Sequence, residues 1–445
     1  MATERETAKD YVLKSARDND VKFIRLWFSD ILGNLKGVVI TVEELSDALD
    51  NGVGFDGSSI QGFTRTNESD MVAMPDLNTF SILPWRPREN AVARLFCDIL
   101  KPNGQPFEGD PRFVLKRNVE NATKKGFTYY VGPELEYFYF NDQDSTVFLD
   151  QGGYFDQMPM DVASDLRRET VLTLSEMGIP VKASHHEVAP SQHEIDLQHT
   201  DAVAMADNVM TAKHVIKEIA VKHNVYASFM PKPIYGVHGS GMHVHQSLFK
   251  GNTNAFFDDK DDSKLSNTAK SYIAGLIKHA PSFTLITNQW VNSYKRLEPG
   301  FEAPIYISWA TADRSDLIRI PAYKNGRSDS VRIEYRAPDP ACNPYLAFAV
   351  MLSAGLDGVN KNLSAPPPLE DSRELQPLKH NEGKGVPTLP GSLWEALLLA
   401  TESDFVKQTL GDHLFHNLMQ NKKMEWNEYK AQVTDYELKR YLHLL

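Results

Sequence analysis

The sequence predicts an α+β protein of two domains. The strand and helix patterns described below predict its class, and three observations predict a globular chain with two domains. The chain has 445 residues, more than the roughly 250–300 at which one hydrophobic core stops growing. Hydrophobic residues make up 42% of it and charged residues 24%, the mix of an ordinary globular protein. Residues 101–111 (KPNGQPFEGDP) are rich in proline and glycine, so we place the boundary there. The predicted domains are residues 1–107 and residues 108–445.

The N-terminal domain is predicted to be a small α+β unit, because short alternating apolar runs are bounded by turn residues. Its predicted elements are a helix starting at 10–16, strands at 22–28, 35–40 and 91–100, and a helix at 42–49 with Thr41 as its cap.

The larger domain alternates strands and helices. Predicted strands are at 129–140, 227–230, 241–249 and 331–336, and predicted helices are at 111–125, 164–177, 199–223, 267–278, 345–359, 392–399 and 422–432.

Composition excludes several classes of protein. Lysine plus arginine number 47 and aspartate plus glutamate 59, a formal charge of −12, which provides no electrostatic footprint for nucleic acid. The two cysteines have no zinc-like spacing, which suits a reducing compartment. The first ten residues do not resemble a signal peptide, and the longest apolar run (346–356) is shorter than the about 20 residues that cross a bilayer. We therefore expect a cytoplasmic protein with neither nucleic-acid nor membrane partners.

Two glutamates interrupt an apolar strand in the sequence G-P-E-L-E-Y-F. Glu134 and Glu136 are two residues apart, so they share one face of the strand. Two carboxylates that close remain ionised cheaply only beside a cation. The alternative is an edge strand whose charged face is solvated.

A second acidic motif is H-H-E-V-A-P-S-Q-H-E at 185–194. Because Pro190 forbids a continuous helix, the segment is predicted to be strand, loop, strand, with Glu187 and Glu194 on its two limbs. Four nearby histidines make zinc an alternative, but the H-E-x-x-H pattern and cysteine ligands are absent from the sequence. Sites dominated by carboxylates suit Mg²⁺ or Mn²⁺.

Two further motifs add histidines and arginines. In G-S-G-M-H-V-H, glycines allow close backbone approach, and His243 and His245 share a strand face. In V-R-I-E-Y-R, the charged residues Arg332, Glu334 and Arg336 share another face; a solvated face with internal ion pairs is the alternative. Upstream arginines are Arg296, Arg314, Arg319 and Arg327.

Together these motifs supply glutamates, histidines and arginines, the groups that phosphoryl transfer needs around metal ions and developing negative charge. A Walker A loop and a dinucleotide fingerprint are both absent from the sequence, so a nucleotide would be held by other means.

In order along the chain, these motifs resemble type I glutamine synthetase of bacteria and archaea. The residues that carry the resemblance are D-G-S-S-I at 56–60, G-P-E-L-E at 132–136, H-H-E-V-A-P-S-Q-H-E at 185–194, G-S-G-M-H at 239–243, N-S-Y-K-R-L-x-P-G-F-E-A-P at 292–304 and R-I-E-Y-R-A-P-D-P at 332–340. The match runs from about residue 20 to the C-terminus. It implies an N-terminal β-grasp domain, then a catalytic domain with a curved antiparallel sheet and surrounding helices.

The resemblance also implies a reaction, in which ATP phosphorylates the side-chain carboxylate of L-glutamate and ammonia displaces the phosphate. Two or more Mg²⁺ or Mn²⁺ ions per site are implied, one held by Glu136, Glu187 and Glu194 and another by Glu134, His243 and Glu334. Glutamate would contact Gly239, Arg296, Glu302, Arg314 and Arg336; ATP would contact His245, Ser247, Arg314, Arg319 and Arg332. Asp56, Glu302 and Arg314 are the implied catalytic residues, with Glu302 on a closing flap and Asp56 reaching the ammonium site of a neighbouring subunit.

Assembly and regulation are implied in the same way. Family members form dodecamers of two hexameric rings, and the apolar C-terminus (441–445) suits burial against another subunit or against its own domain. One branch is controlled through adenylylation of a tyrosine; residues 379–392 hold none, so we expect no such control. Arg65 matches a position used in glutamine feedback, Arg86 is a candidate contact for 2-oxoglutarate, and a regulatory protein is a possible partner.

Several positions differ from the family pattern, and they bear on substrate affinity and adenine stacking: His238, Leu197–His199, Phe301 and Asp313. The rival interpretations are a γ-glutamyl ligase that uses another amine, and a non-catalytic relative that acts as a regulator.

Overall fold

The computed structural model describes residues 2–58, 60, 62, 70–311, 316–369 and 386–445. Arg65, Asp313 and Arg314 lie outside the described residues. The described chain contains an N-terminal sheet and a larger C-terminal sheet, each with its own helices.

The N-terminal part begins with helix α1 and forms a mixed sheet. Its elements are α1 (Ala2–Asp18), β1 (Val21–Ser29), β2 (Leu35–Thr41), α2 (Leu45–Asn51), β3 (Val53–Asp56), β4 (Asp70–Pro75), β5 (Ser81–Ile82) and β6 (Ala91–Leu100). Among the described residues the strand order is β2-β1-β6-β4-β3, with β5 beside β6. The central pair β1 and β6 is parallel, and Leu26, Leu95 and Ile99 are buried against Leu45.

The C-terminal part contains the larger sheet. Its strands are β7 (Thr128–Phe140), β8 (Val181–His186), β9 (Gln192–Leu197), β10 (Thr200–Asp201), β11 (Tyr226–Ser228), β12 (Met242–Lys250), β13 (Thr253–Asn254), β14 (Tyr306–Ala310), β15 (Asp316–Arg319) and β16 (Ile333–Tyr335). In the described residues the order is β14-β15-β16-β12-β7-β9-β8. Every pair is antiparallel except β14 with β15, so β7 is a long central strand between β9 and β12.

Helices cover this sheet and continue to the C-terminus. They are α3 (Pro111–Thr123), α4 (Ser164–Glu176), α5 (Ala202–Lys222), α6 (Asn267–Thr287), α7 (Ser293–Arg296), α8 (Pro344–Asn360), α9 (Leu393–Thr401), α10 (Asp404–Leu410), α11 (Asp412–Lys430) and α12 (Asp435–Tyr441). Within the described chain, no helix has both the length and the apolar composition for crossing a membrane.

Helices α6 and α8 pack so closely that their backbones are in contact. A Cβ atom added to Gly275 would lie 2.1 Å from the Ala354 carbonyl oxygen, and one added to Gly358 would lie 2.0 Å from the Ser271 carbonyl oxygen. Only glycine permits this approach, and it lets the apolar α8 sit deep in the core.

Several predicted element bounds were wrong. Helix α6 continues through Pro281 to Thr287, because its residues beyond the proline are buried in the core and packing outweighs the lost hydrogen bond. Helix α11 starts well before the predicted residue 422. Thr41 makes no side-chain capping bond, and a 3₁₀ turn follows it.

Candidate active site

A cleft of about 530 Å³ opens on the C-terminal sheet. Its floor consists of strand residues from β7, β9, β12 and β16, and its rim comes from loops near residues 154 and 301. Most of the predicted site residues line it: Glu134, Glu136, Glu187, Glu194, Gly239, His243, Arg296, Glu302, Arg319, Glu334 and Arg336. Its wall also includes His185, Gln192 and Asp196.

Strand β7 carries Glu134 and Glu136 into this cleft side by side. The strand is paired on both sides: Glu136 lies opposite Glu194 of β9, and Glu134 lies opposite His243 of β12. The alternative of a solvated edge strand is therefore wrong. Both glutamates are mostly buried, with side-chain exposures of 17% and 10%.

The first acidic group is the predicted set Glu136, Glu187 and Glu194, all of which line the cleft. Potential ligand atoms of Glu187 and Glu194 lie within 4.8 Å of each other and of His185, whereas Glu136 lies opposite Glu194 in the strand register. Glu187 follows the end of β8, and a turn containing Ser191 at φ +60° brings the chain back into β9. His185 lies between the last two glutamates, with its Nδ1 3.6 Å from a Glu187 oxygen and its Nε2 3.7 Å from a Glu194 oxygen. The predicted strand–loop–strand arrangement is confirmed.

Burial and mutual repulsion dominate the electrostatics of this group. Burial, together with the neighbouring Glu187 charge, raises the pKa of Glu136 to about 8. Burial and the charges of Glu134 and Glu136 raise the pKa of Glu194 well above its usual value. Backbone Gly241 N–H donates to Glu136 Oε2 over 2.9 Å, which orients this carboxylate. Carboxylates in this state gain most from a nearby cation.

The second group consists of Glu134, His243 and Glu334, whose potential ligand atoms lie within 4.8 Å of one another. His243 Nδ1 is 3.4 Å from Glu134 and 4.0 Å from Glu334. Burial and the nearby Arg336 lower the pKa of His243 to about 4, so its ring is neutral, as a metal ligand must be.

Glu334 is held as an anion in the cleft by its neighbours. Burial opposes its ionisation, but the neighbouring His245 and Arg336 lower its pKa to about 2. Arg319 Nη1 donates to Glu334 Oε2 over 2.7 Å, and Arg336 Nη1 donates to the other oxygen.

Arginine side chains and the backbone of a glycine form the remaining wall of the cleft. Arg296 donates to the carbonyl oxygens of Ala337 at 2.7 Å and Arg336 at 3.1 Å, which fixes its guanidinium at the cleft. A Cβ on Gly239 would lie 2.4 Å from the Pro231 carbonyl oxygen, so only glycine fits there. The Gly239 carbonyl accepts from Gln192 Nε2 at 3.0 Å.

The donor set tests whether divalent cations fit. The two groups together offer five carboxylates and one imidazole within one cleft, and Glu136 and Glu194 are short of compensating positive charge. Hard oxygen donors of this number suit Mg²⁺ or Mn²⁺ better than zinc. The residues therefore fit a pair of divalent cations.

Some predicted residues lie away from the cleft wall. His245 lies behind Glu134, and its Nε2 is 2.7 Å from Glu134 Oε1. Arg332 Nε donates to His245 Nδ1 over 3.3 Å. Ser247 is buried farther along β12. Asp56 ends β3 in the N-terminal sheet and has an exposed side chain, whose Oδ1 accepts from Ser58 N–H.

Three polar residues of the cleft were missed by the sequence analysis: His185, Gln192 and Asp196. Gln192 and Asp196 flank Glu194 at a spacing of two, so strand alternation was the signal that could have found them. Tyr154 and Phe155 at the rim also lie against His185; they come from an irregular loop, and the sequence gives no signal for this contact.

Comparisons with known proteins show the family to which this chain belongs. The model of the glutamine synthetase catalytic domain matches residues 108–441, and that of the glutamine synthetase beta-Grasp domain matches residues 20–102. A glutamine synthetase of Methanosarcina mazei is 53% identical over 443 residues, which cover 99% of this chain and 98% of that protein.

Solved structures share the fold over nearly the whole chain. One, titled a GmaS/ADP complex, has a TM-score of 0.89 and 29% identity and covers 97% of this chain and 99% of its own. A Plasmodium falciparum glutamine synthetase solved by cryo-electron microscopy has a TM-score of 0.88 and 25% identity, with 98% of each chain covered. The predicted fold, a β-grasp domain followed by a catalytic domain with a curved sheet, is confirmed. The chain belongs to the glutamine synthetase family.

Proposed function

We propose that this protein is a glutamate–ammonia ligase that forms L-glutamine, ADP and phosphate from L-glutamate, ammonium and ATP by way of γ-glutamyl phosphate. The observation that carries the proposal is the convergence of Glu134, Glu136, Glu187, Glu194, His243 and Glu334 on one cleft beside Arg296, Arg319 and Arg336. The reaction needs this set, because a carboxylate becomes a good acylating agent only when phosphorylation supplies its leaving group.

Two divalent cations would be held by the two acidic groups, one by Glu136, Glu187 and Glu194 and the other by Glu134, His243 and Glu334. Such ions neutralise phosphate oxygens and favour phosphoryl transfer. Mg²⁺ and Mn²⁺ both fit oxygen-rich donors.

Nucleotide and glutamate would enter from different sides of these carboxylates. Arg319 and Arg336 would face phosphate oxygens or the substrate carboxylate, with Arg296 and the bare backbone of Gly239 beside glutamate. His245 behind Glu134, Arg332 beside His245 and Ser247 farther along β12 would act on the nucleotide side. The similar structure of a GmaS/ADP complex supports a nucleotide in this fold. Arg314 is proposed for both substrates from the resemblance alone, because it lies outside the described residues.

Ammonia capture would involve Glu302 and Asp56 of the partner subunit. Glu302 lies exposed at the cleft rim with φ +53°, in a loop whose closure would keep water from the acyl phosphate. Two carboxylates there would attract ammonium and accept its proton.

Glutamate- and ammonia-dependent release of phosphate from ATP tests this function. The expected result is turnover that requires all three substrates and a divalent cation. Methylamine and polyamines are compared with ammonia in the same assay. Faster turnover with a bulkier amine would assign the chain to another γ-glutamyl ligation, and absence of turnover despite bound Mn²⁺ and ATP would indicate a non-catalytic relative.

Assembly into a dodecamer of two hexameric rings is proposed with the function. Leu442, Leu444 and Leu445 at the C-terminus are 77%, 68% and 101% exposed in the single chain, so they do not dock on their own domain. An exposed apolar end of this kind favours burial by another subunit. Mass photometry tests the assembly, since twelve chains of 50.2 kDa give roughly 600 kDa; a stable monomer or dimer under turnover conditions would contradict it.

Regulation is proposed at two arginines. Arg65 lies outside the described residues; unchanged glutamine inhibition in Arg65→Ala would remove its assigned role in feedback. Arg86 Nη2 lies 3.1 Å from Glu218 Oε1, so a 2-oxoglutarate carboxylate there must compete with an existing ion pair. A titration with 2-oxoglutarate that produces no activation would remove that role. A regulatory protein partner and the cytoplasmic location stay predictions.

A further inference from the structure

The back of the hairpin formed by β8 and β9 carries a buried polar cluster that the proposed chemistry does not use. His186 and His193 lie directly opposite each other in the strand register. Each immediately precedes a cleft glutamate, Glu187 or Glu194, and neighbouring strand residues point to opposite faces. Both imidazoles are completely buried, and so is the Asp150 carboxylate between them.

Asp150 links the irregular loop in which it lies to the turn between β8 and β9. Its Oδ1 accepts from Ser191 N–H at 2.8 Å and lies 3.0 Å from His186 Nε2. Ser191 Oγ in turn accepts from the backbone N–H groups of Asp150 at 3.0 Å and Leu149 at 2.5 Å. The turn residue with φ +60° is thus held on both sides by one aspartate.

His186 extends this link to the backbone of a cleft glutamate. Its Nδ1 donates to the Glu187 carbonyl oxygen at 2.7 Å, while Glu187 N–H donates to the Gln192 carbonyl oxygen at 2.7 Å. The position of the Glu187 main chain therefore depends on the His186 ring, whose other nitrogen depends on Asp150.

His193 is fixed from the other side by Arg167. Arg167 Nη1 lies 2.8 Å from His193 Nδ1, and because arginine has no acceptor, Nδ1 must accept and Nε2 must carry the ring hydrogen. His193 Nε2 lies 3.9 Å from Asp150 Oδ2, and within the described chain neither of these two atoms has a hydrogen-bond partner. A protonated Nε2 offers no lone pair to a cation, so the cluster is not a metal site despite its Asp-His-His composition.

We propose that Asp150, His186 and His193 are positioning residues that hold Glu187 and Glu194 in place for the cation bound by the first acidic group. The inference rests on the proposed function. Without a cation, Glu136, Glu187 and Glu194 repel one another, and the buried cluster opposes the resulting opening of the hairpin turn. The second acidic group lies on β7, β12 and β16, so the cluster does not support it directly.

A two-site Mn²⁺ titration of the assembled enzyme, followed by calorimetry and by electron paramagnetic resonance, tests this inference with Asp150→Asn. Residues outside the ligand shell that orient metal ligands change metal affinity by about 10–100-fold when removed. We expect one of the two sites to weaken by about that factor and the other to keep its affinity. Turnover should show a raised Mn²⁺ requirement with kcat restored at saturating Mn²⁺, a split that a general loss of structure would not produce.

The matched control is Asp156→Asn in the same segment. Among the described residues the Asp156 carboxylate accepts one hydrogen bond, the local one from Gly153 N–H at 2.9 Å, so this variant should leave both sites unchanged. If Asp150→Asn does not fold, Gly152→Ala replaces it, since the added Cβ would lie 2.6 Å from His186 Nε2 and displace that ring.

Equal weakening of both sites, or unchanged affinity at both, would overturn the inference while leaving the proposed function intact. A third tight Mn²⁺ site that disappears in Asp150→Asn would also overturn it. Failure of the unsubstituted enzyme to bind any Mn²⁺ would instead contradict the proposed function itself.

Discussion

Replacing Glu334 by alanine should abolish one cation site and leave the fold intact. The carboxylate is 1% exposed, and its oxygens accept from Arg319 and Arg336. Two unit charges about 4 Å apart interact by about 4 kcal/mol at an effective dielectric constant of about 20. A divalent cation would interact about twice as strongly with the Glu334 carboxylate, but desolvation of both groups offsets part of that gain. We therefore take about 4 kcal/mol as the binding free energy that the cation loses in Glu334→Ala.

That loss corresponds to about a thousandfold weaker binding, since each 1.4 kcal/mol is about tenfold. Calorimetric titration with Mn²⁺ should therefore detect two sites in the unsubstituted enzyme and one in Glu334→Ala, with turnover lost in parallel. Folding should persist, although Arg336 loses its buried partner, because the guanidinium borders the open cleft. Circular dichroism and the oligomer mass check this.

Glu120→Gln is the control, since this carboxylate is 64% exposed in a surface pair with Lys124; it should change neither binding nor turnover. Two undiminished Mn²⁺ sites in Glu334→Ala would refute the assignment. The assignment would also be refuted if Glu334→Ala were unfolded while Glu334→Gln bound metal normally, because Glu334 would then have a structural role only.

Two further predictions concern stability. Burial opposes ionisation of Asp357, but hydrogen bonds from His279 and Lys361 prevail and lower its pKa to about 2 from 3.8. The ionised form therefore stabilises the fold above about pH 4, and this contribution disappears as pH falls towards 2. The difference in unfolding free energy between the unsubstituted protein and Asp357→Asn should shrink when the pH is lowered from 5 to 3. A difference that stays constant over this range would contradict the prediction. Gly275→Ala should lower the free energy of unfolding by about 1–3 kcal/mol, because the added methyl group overpacks against the α8 backbone. The control is Gly54→Ala, whose added Cβ would meet no described atom within 4 Å and should lower it less. Denaturant unfolding measures both, and equal losses would contradict the close approach of the two helices.

Local sequence patterns predicted the parts of the site that lie on strands. Alternation places Glu134 beside Glu136, and Pro190 separates the limbs that carry Glu187 and Glu194. These features depend on neighbours within a few residues, where the period of a strand and the restriction at proline act directly.

Patterns could not predict contacts between distant segments. The register that sets His243 opposite Glu134 joins β7 to β12 across more than a hundred residues, and the tie of Asp150 to Ser191 joins an irregular loop to a turn. Helix α6 crosses Pro281 because the residues beyond it are buried in the core, a tertiary effect that no local propensity contains. Long-range packing selects these pairings.

Anomalous diffraction from crystals grown with Mn²⁺ and a non-hydrolysable ATP analogue tests the central claim most directly. The account predicts two strong Mn²⁺ peaks in the cleft, one within bonding distance of Glu136, Glu187 and Glu194 and one within bonding distance of Glu134, His243 and Glu334, with the terminal phosphates between them. Peaks at other residues, or a nucleotide whose phosphates lie away from these carboxylates, would contradict it.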